Sequence, residues 1–431
     1  MTEQQGILNE GHTATIPDPM RIAIVNAYSS ASILPAAFRA HGAEVYHVQS
    51  GASIPVVFAA SFRPDDFVTN IVHAGDLGQT CRSLQNHGVG QVVAGSEYGV
   101  ELSEQLAEMI GSTTNPVATI PARRNKFAMI ERLAAADIPS VQQALATCVE
   151  DIRRFCANNP GRTVVKPVNA GGSDGVTFCD DVDQAVAAFE TLCGRSNAFD
   201  LNNDAVVVQS YLDGTEYYVN TMSRDRVHRV AEIWECTHVS ANGIRNLLDS
   251  AVLMPPEGPV QEILVDYAFK CLDGLDVVNS PAHIEIKMTA DGPRLIELGA
   301  RIVGGPLSRI ARLGIRESQI DLIAKAYCDK SAFLSEPAQC YEPHCYMAAV
   351  SLIAPRSGIL RGYPRLAEIE ALESYRETIR LVCPGDRITR THNDFTYALM
   401  IVLAHPDRFA VERDSRTVRH IDGTDFYDIA D

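Results

Sequence analysis

The sequence predicts a chain of mixed α/β and α+β class, opening with a Rossmann-like α/β unit and closing with a mixed β and α tail. Three observations lead there. The chain has 431 residues, which at roughly 150 residues per unit corresponds to ~3 domains. Hydrophobic residues make up 46% and charged residues 21%, the balance of a chain that buries a core rather than staying disordered. In its N-terminal part, short β-rich runs alternate with helical stretches, the pattern of a parallel sheet covered on both faces.

The elements follow in order. Residues 1–19 read as a flexible arm ending at Pro17-Asp18-Pro19. A strand is expected from Arg21 to Asn26, then an Ala-rich helix ending near Gly42, and a second strand from Glu44 to Gln49. Helices are expected over Asp65 to Ala74 and Leu77 to His87, and a strand over Gln91 to Ala94. Only Asn26-Ala27-Tyr28-Ser29-Ser30 follows the first strand. Without G-x-G-x-x-G there, this unit is not expected to hold a dinucleotide. A helix from about Ala122 to Ala136 carries Lys126 and is stopped by Ile138-Pro139. Then come a helix near Val149 to Ala157, a strand over Thr163 to Val168, the glycine-rich Asn169 to Gly175, a strand over Val176 to Cys179, and a helix over Val182 to Gly194. Strands Ala205 to Tyr211 and Glu216 to Met222 flank a turn at Asp213-Gly214. The runs His283 to Met288 and Arg294 to Leu298 flank Asp291-Gly292 as a hairpin.

Composition excludes several functions. Lys and Arg total 37 against 54 Asp and Glu, a formal charge of −17, which disfavours a general nucleic-acid partner. The eleven cysteines are scattered and contain no C-x-x-C pair, so they read as reduced core residues of a cytoplasmic protein. Cys340, His344 and Cys345 come nearest to a metal cluster, but the apolar run Met347 to Ile353 beside them reads as a strand. The N-terminal residues lack the basic start and apolar core of a signal peptide. No apolar run reaches the roughly 18 residues of a membrane span, so no membrane partner is expected.

Gly171-Gly172-Ser173-Asp174-Gly175 matches G-x-S-x-G. A nucleophile elbow requires a helix to leave the turn, whereas Val176 to Cys179 is β-like. No Gly-Lys-Ser/Thr follows, so a P-loop is excluded too. A glycine hairpin between strands can close backbone N–H groups over phosphate oxygens, and it can equally be a plain turn. Lys166, in the apolar run Val164-Val165-Lys166-Pro167, either snorkels or meets a polyphosphate; Lys126 is equally open. Strand alternation puts His283, Glu285 and Lys287 on one face, and Glu297 on the partner strand can converge with Glu285. Two carboxylates suit Mg²⁺, and each alone could instead pair with a cation.

Taken in order, Asn125-Lys126, Val165-Lys166-Pro167, the Gly171 to Gly175 loop, Gln209 to Glu216, His283-Ile284-Glu285 and Glu297 to Arg301 resemble the ATP-grasp carboxylate–amine ligases. The likeness is greatest to the L-amino acid ligases that make dipeptides, through Phe62-Arg63-Pro64-Asp65-Asp66-Phe67, Ala122 to Lys126 and Glu297 to Gly305. The resemblance implies a Rossmann-like domain over 20–114, a two-lobed ATP-grasp domain with its small lobe over 115–205 and its large, metal-holding lobe over 206–335, and a C-terminal closing domain over 336–431. It implies ATP and Mg²⁺, with Mn²⁺ as an alternative, small-molecule amino acids as substrates, and the homodimeric state common in such enzymes. By the same resemblance, Lys126 and Lys166 hold the α and β phosphates. Gly172 and Ser173 cover the β and γ phosphates. Gln209, Tyr211 and Leu212 meet adenine and Glu216 the ribose, while Glu285 and Glu297 bind the metal. Arg301 faces the carboxylate being activated, and Gly304 and Gly305 border a roomy amino-acid pocket. Gly299 departs from the family's frequent Asn, although small residues occur there in the dipeptide-forming branch.

The implied reaction is phosphoryl transfer from ATP to a carboxylate, followed by attack of an amine on the acyl phosphate. Arg301 and Lys166 are the expected charge stabilisers. His283 is a candidate base, and equally readable as a buried hydrogen-bonded residue. Other readings of the same scaffold are a carboxylase, a ligase charging a carrier protein, or a nucleotide-binding protein without turnover.

Overall fold

The computed structural model describes residues 19–339 and 341–430. The expected arm up to Asp18, and Cys340 of the Cys340, His344 and Cys345 group, lie outside the described residues. His344 and Cys345 both turn toward the carbonyl of Leu313.

Strands β1 (Arg21–Val25), β2 (Glu44–Gln49), β3 (Asn70–Val72) and β4 (Gln91–Ala94) form a parallel sheet in the order β3-β2-β1-β4. Strand β1 is apolar throughout its buried length, as a parallel strand covered on both faces must be. Ile22 and Ile24 share a core with Leu34 and Phe38 of the first helix. Ala23 and Val25, pointing the other way, share one with Leu84, Leu102 and Leu106. The helix expected over Asp65 to Ala74 is instead a short turn at Pro64–Asp66 followed by β3. The β-branched residues Val68, Thr69, Ile71 and Val72 explain this, since they lose rotamer freedom in a helix and fit a pleated edge.

Strands β5 (Gln143–Ala146), β6 (Thr163–Pro167), β7 (Thr177–Cys179) and β8 (Val206–Ser210) make an antiparallel sheet in the order β5-β8-β6-β7. The glycine-rich segment is the hairpin between β6 and β7, as expected. The helix expected over Ala122 to Ala136 is two helices, Ile120–Arg124 and Lys126–Ala135. Asn125 divides them, its side-chain oxygen accepting from the amides of Phe127 and Ala128 at 3.0 Å, a strong N-cap in mid-pattern. Lys126 therefore begins a helix rather than lying inside one.

The third sheet contains β9 (Thr215–Arg224), β10 (Val227–Ala241), β11 (Ile244–Leu253), β12 (Pro281–Thr289), β13 (Gly292–Gly299) and β14 (Tyr346–Leu352). After β15 (Gly358–Gly362) come β16 (Tyr375–Arg380), β17 (Arg387–Ile388), β18 (Leu399–His405) and β19 (Asp428–Ala430). The large sheet runs β13-β12-β9-β10-β11-β14-β18-β16 and is antiparallel. It thus takes strands from both sides of residue 336 through the β11–β14 pairing. Strands β17, β15 and β19 form a small sheet beside it. Among the described residues no helix is long and apolar enough to cross a membrane.

A buried polar network ties the parallel sheet to the large one. Arg123 is fully buried and forks onto Glu104, Nε to Oε1 at 2.9 Å and Nη2 to Oε2 at 2.7 Å. Its other donors reach the carbonyls of Pro116 and Leu275 and the hydroxyl of Thr119. Asn115 donates to Glu104 and Ser280 and accepts from the amides of Val278 and Asn279. Removing one member of a buried ion pair strands the other charge, at a cost of ~3–5 kcal/mol. We predict that Arg123→Ala lowers the urea midpoint by an amount of that order, while Arg123→Leu with Glu104→Leu recovers most of the loss. A wild-type midpoint in Arg123→Ala would refute this role.

Candidate active site

A cavity lies between the glycine hairpin and the face of the large sheet that carries β12 and β13. Ten of the residues singled out in the sequence line it: Lys126, Lys166, Gly172, Ser173, Gln209, Tyr211, Leu212, Glu216, Glu285 and Glu297. Arg301, His283, Gly304 and Gly305 do not.

The strand chemistry explains how the charges meet. Glu285 of β12 stands opposite Glu297 of β13, and the register then slips so that Ile286 pairs with Leu295. Ile296 is the extra residue of this bulge, and its carbonyl accepts from the Lys166 Nζ at 3.4 Å. Bulges of this kind re-aim side chains beside sites. Lys126 Nζ, at the head of its helix, donates to Glu297 Oε1 at 2.8 Å and to the carbonyl of Ala170 in the glycine hairpin. Burial, reinforced by the neighbouring Lys126, pushes the Lys166 ammonium down to about 8. Burial, then the Glu297 and Glu216 carboxylates, push Glu285 well above the ordinary carboxylate range. Two half-buried acids opposed in this way, one of them paired with Lys126, are a donor set that a divalent cation would satisfy. Among the described residues no group of three or more His, Cys, Asp or Glu is arranged to hold a metal. A pair of carboxylates fits an ion that takes two of them and completes its shell with phosphate oxygens and water, as Mg²⁺ does.

Glu216 accepts from Lys287 Nζ at 3.3 Å, and Gln209 donates to Gln143 Oε1 at 3.1 Å across the β8–β5 pair. His283 is a buried hydrogen-bonded ring. Its Nδ1 meets Asn220 Oδ1 at 2.8 Å and its Nε2 meets Glu285 Oε1 at 3.2 Å. Burial, then Arg301, push it down to about 3. Both ring nitrogens are thus engaged, Nδ1 by Asn220 and Nε2 by Glu285.

Arg301 sits beside the cavity on a residue that sequence reasoning missed. Glu97, in the turn after β4, accepts from Arg301 Nε at 3.0 Å and from Arg124 Nη1 at 2.5 Å. Burial alone would raise its carboxyl, but Arg124 and Arg301, with Lys126, outweigh burial and hold it below its ordinary value. Glu97 also explains Gly299, because a Cβ there would lie 2.6 Å from Glu97 Oε2. The signal for Glu97 was positional: it follows the carboxyl end of a parallel strand, where α/β sheets bind ligands. Gly304 and Gly305 are exposed, with no heavy atom within 4 Å of where a Cβ would stand. Asp394, from the tail, lines the cavity and was also missed. Burial, then Glu285, push its carboxyl up to about 7.

Comparison with known proteins gives this geometry its context. Residues 160–309 match the ATP-grasp domain. Over 352 residues the chain is 32% identical to dapdiamide A synthase of Enterobacter agglomerans, covering 80% of this chain and 82% of that protein. The fold is similar to that of an L-amino acid ligase from Bacillus licheniformis, with a TM-score of 0.72 at 18% identity over 95% of this chain and 98% of the other. It is also similar to a carboxyaminoimidazole ribonucleotide synthase from Aspergillus clavatus complexed with ATP, with a TM-score of 0.69 at 14% identity over 94% and 98% of the two chains. The chain belongs to the ATP-grasp family of ATP-dependent carboxylate–amine ligases.

Proposed function

We propose that the protein joins the carboxylate of one amino acid to the amine of a second, forming an amide through an acyl phosphate with release of ADP and phosphate. The observation that carries this reading is the meeting of Lys126, Lys166, Glu285 and Glu297 under a glycine hairpin, in a chain similar over most of its length to dapdiamide A synthase.

A carboxylate is a poor electrophile, so a phosphoryl group must first supply a leaving group. Positioning and charge neutralisation then do most of the catalytic work. Lys126 and Lys166 would neutralise phosphate oxygens, and the amides of the 171–175 hairpin would cover them. Gln209 with Tyr211 and Leu212 would meet the base, and Glu216 the ribose. Glu285 and Glu297 would hold Mg²⁺, which would supply charge neutralisation for the phosphates. Arg301, held through Nε by Glu97 and through Nη1 by the Ile302 carbonyl, would turn its remaining donors to the carboxylate being activated and to the oxyanion formed when the amine attacks. The closed hairpin keeps water from the acyl phosphate.

The test is ADP formation with the standard amino acids singly and in pairs, with and without Mg²⁺. Turnover should require both the metal and an amino acid. Lys166→Ala and Glu297→Ala should each abolish it while remaining folded by circular dichroism; wild-type turnover in either would remove the assignment. A second prediction comes from Lys166. Free, it loses its proton near pH 8, whereas bound phosphate favours the charged form. ATP affinity without metal should therefore fall as pH rises through 8, with uptake of up to about one proton per ATP bound. Titration calorimetry in buffers of different ionisation enthalpy measures this. Lys166→Arg, charged at every pH used, should lower the uptake; an unchanged uptake would show that Lys166 is not the group responsible.

A further inference from the structure

The glycine hairpin is held from outside its own sheet. The amide of Asp394 donates to the Gly172 carbonyl at 3.2 Å, and Ser173 Oγ donates to Asp394 Oδ2 at 3.1 Å. Phe395 packs so closely on Gly172 that a Cβ there would lie 2.6 Å from its ring. On the hairpin's other side, Phe199 abuts Gly171, and its ring lies 6.4 Å from that of Phe395.

Gly172, Ser173 and Gly175 have φ of 67°, 59° and 73°. Ser173 is thus a non-glycine residue in the left-handed region, a conformation that persists only when its surroundings hold it. The segment that carries Asp394 is fixed by its own bonds. Asn393 and Thr396 form a capping box, and Thr391 exchanges hydrogen bonds with Ala354, whose carbonyl also accepts from Asn242. The hairpin is tied at its flanks, by Lys126 on the Ala170 carbonyl and by the Ala198 amide on Asp174 at 2.7 Å, and the braced segment of the tail grips it between them, at Gly172 and Ser173.

Resting on the ligase reading, we propose that Asp394 is a positioning residue for phosphoryl transfer: with Phe395 it clasps Gly172 and Ser173, holding the phosphate-covering hairpin shut against water. Asp394 acts through the acceptor oxygen it offers Ser173, not through its charge. Asn keeps that oxygen and Ala does not. If the clasp is lost, water reaches the acyl phosphate, restores the carboxylate and releases phosphate, so that ADP and phosphate form without amide.

Two measurements on the full-length protein test this. Without nucleotide, hydrogen exchange at the amides of Asp174 and Val176, which close the hairpin's own turns, should quicken about 2- to 10-fold in Asp394→Ala, the range expected for one lost hydrogen bond. Phe395→Ala should act in the same direction, and Asp394→Asn should stay near wild type. Unchanged exchange in both Ala variants, or Asp394→Asn as fast as Asp394→Ala, would overturn the clasp. In turnover, the ratio of ADP to amide should rise above unity in Asp394→Ala and stay near unity in Asp394→Asn. Loss of amide synthesis in Asp394→Asn at an unchanged ratio would make Asp394 a participant in the chemistry and overturn the positioning role. If the wild-type protein turns over no amino acid, the ligase reading fails, and the exchange experiment still decides the clasp.

Discussion

Everything proposed for this site depends on two carboxylates held face to face inside the protein. Glu285 and Glu297 oppose each other across neighbouring strands, and like charges so placed are destabilising wherever water is scarce. The fold tolerates them by bringing cations from elsewhere: Lys126 from a helix N-terminus and Lys166 from the small sheet. The bulge at Ile296 links the two sets. It lets Glu297 face Glu285 and turns a main-chain carbonyl toward Lys166. In the resulting arrangement Lys126 pairs with Glu297, while Lys166 meets only a main-chain carbonyl at 3.4 Å and Glu285 meets His283. Such a site is completed by a ligand that is both anion and cation carrier, which is what a metal–polyphosphate complex is.

This resolves a tension in the composition. A chain of formal charge −17 should repel a nucleotide at long range, but screening removes most of that repulsion beyond about 10 Å at ordinary ionic strength. What remains is the local field. The same economy recurs at Glu97, where one buried carboxylate fixes two arginines, Arg124 and Arg301. That leaves Arg301 oriented rather than free to search rotamers.

Legibility in the sequence followed the range of the interaction. Of the ten cavity residues, strand alternation and a turn at Asp291-Gly292 made Glu285 and Glu297 readable and the glycine hairpin Gly172 and Ser173, because these are local rules, whereas Lys126, Lys166, Gln209, Tyr211, Leu212 and Glu216 were assigned through the family resemblance. The Val68 to Val72 run holds the edge strand β3 and not the expected helix because its β-branched residues favour a pleated edge, a preference that pairing with the neighbouring strand β2 decides. Asn125 was absorbed into a helix because an N-cap in mid-pattern leaves the apolar periodicity intact. Glu97 and Asp394 were missed for a different reason. Each reaches the site only through tertiary packing, Glu97 from the parallel sheet and Asp394 from a tail whose strands extend the large sheet. Gly299 was noticed as a departure, but its cause, the space taken by a carboxylate 202 positions earlier in the chain, could not be read along the sequence.

In the proposed order of events the carboxylate attacks the terminal phosphoryl group of ATP before the amine attacks the carboxyl carbon. An amino acid labelled with oxygen-18 in its carboxylate, supplied with ATP, Mg²⁺ and the amine partner identified by the turnover screen, tests this in one step. Released inorganic phosphate should carry one labelled oxygen for each amide formed. Unlabelled phosphate, with amide accumulating at the same rate, would contradict an acyl phosphate and with it the mechanism built on Lys126, Lys166, Glu285 and Glu297.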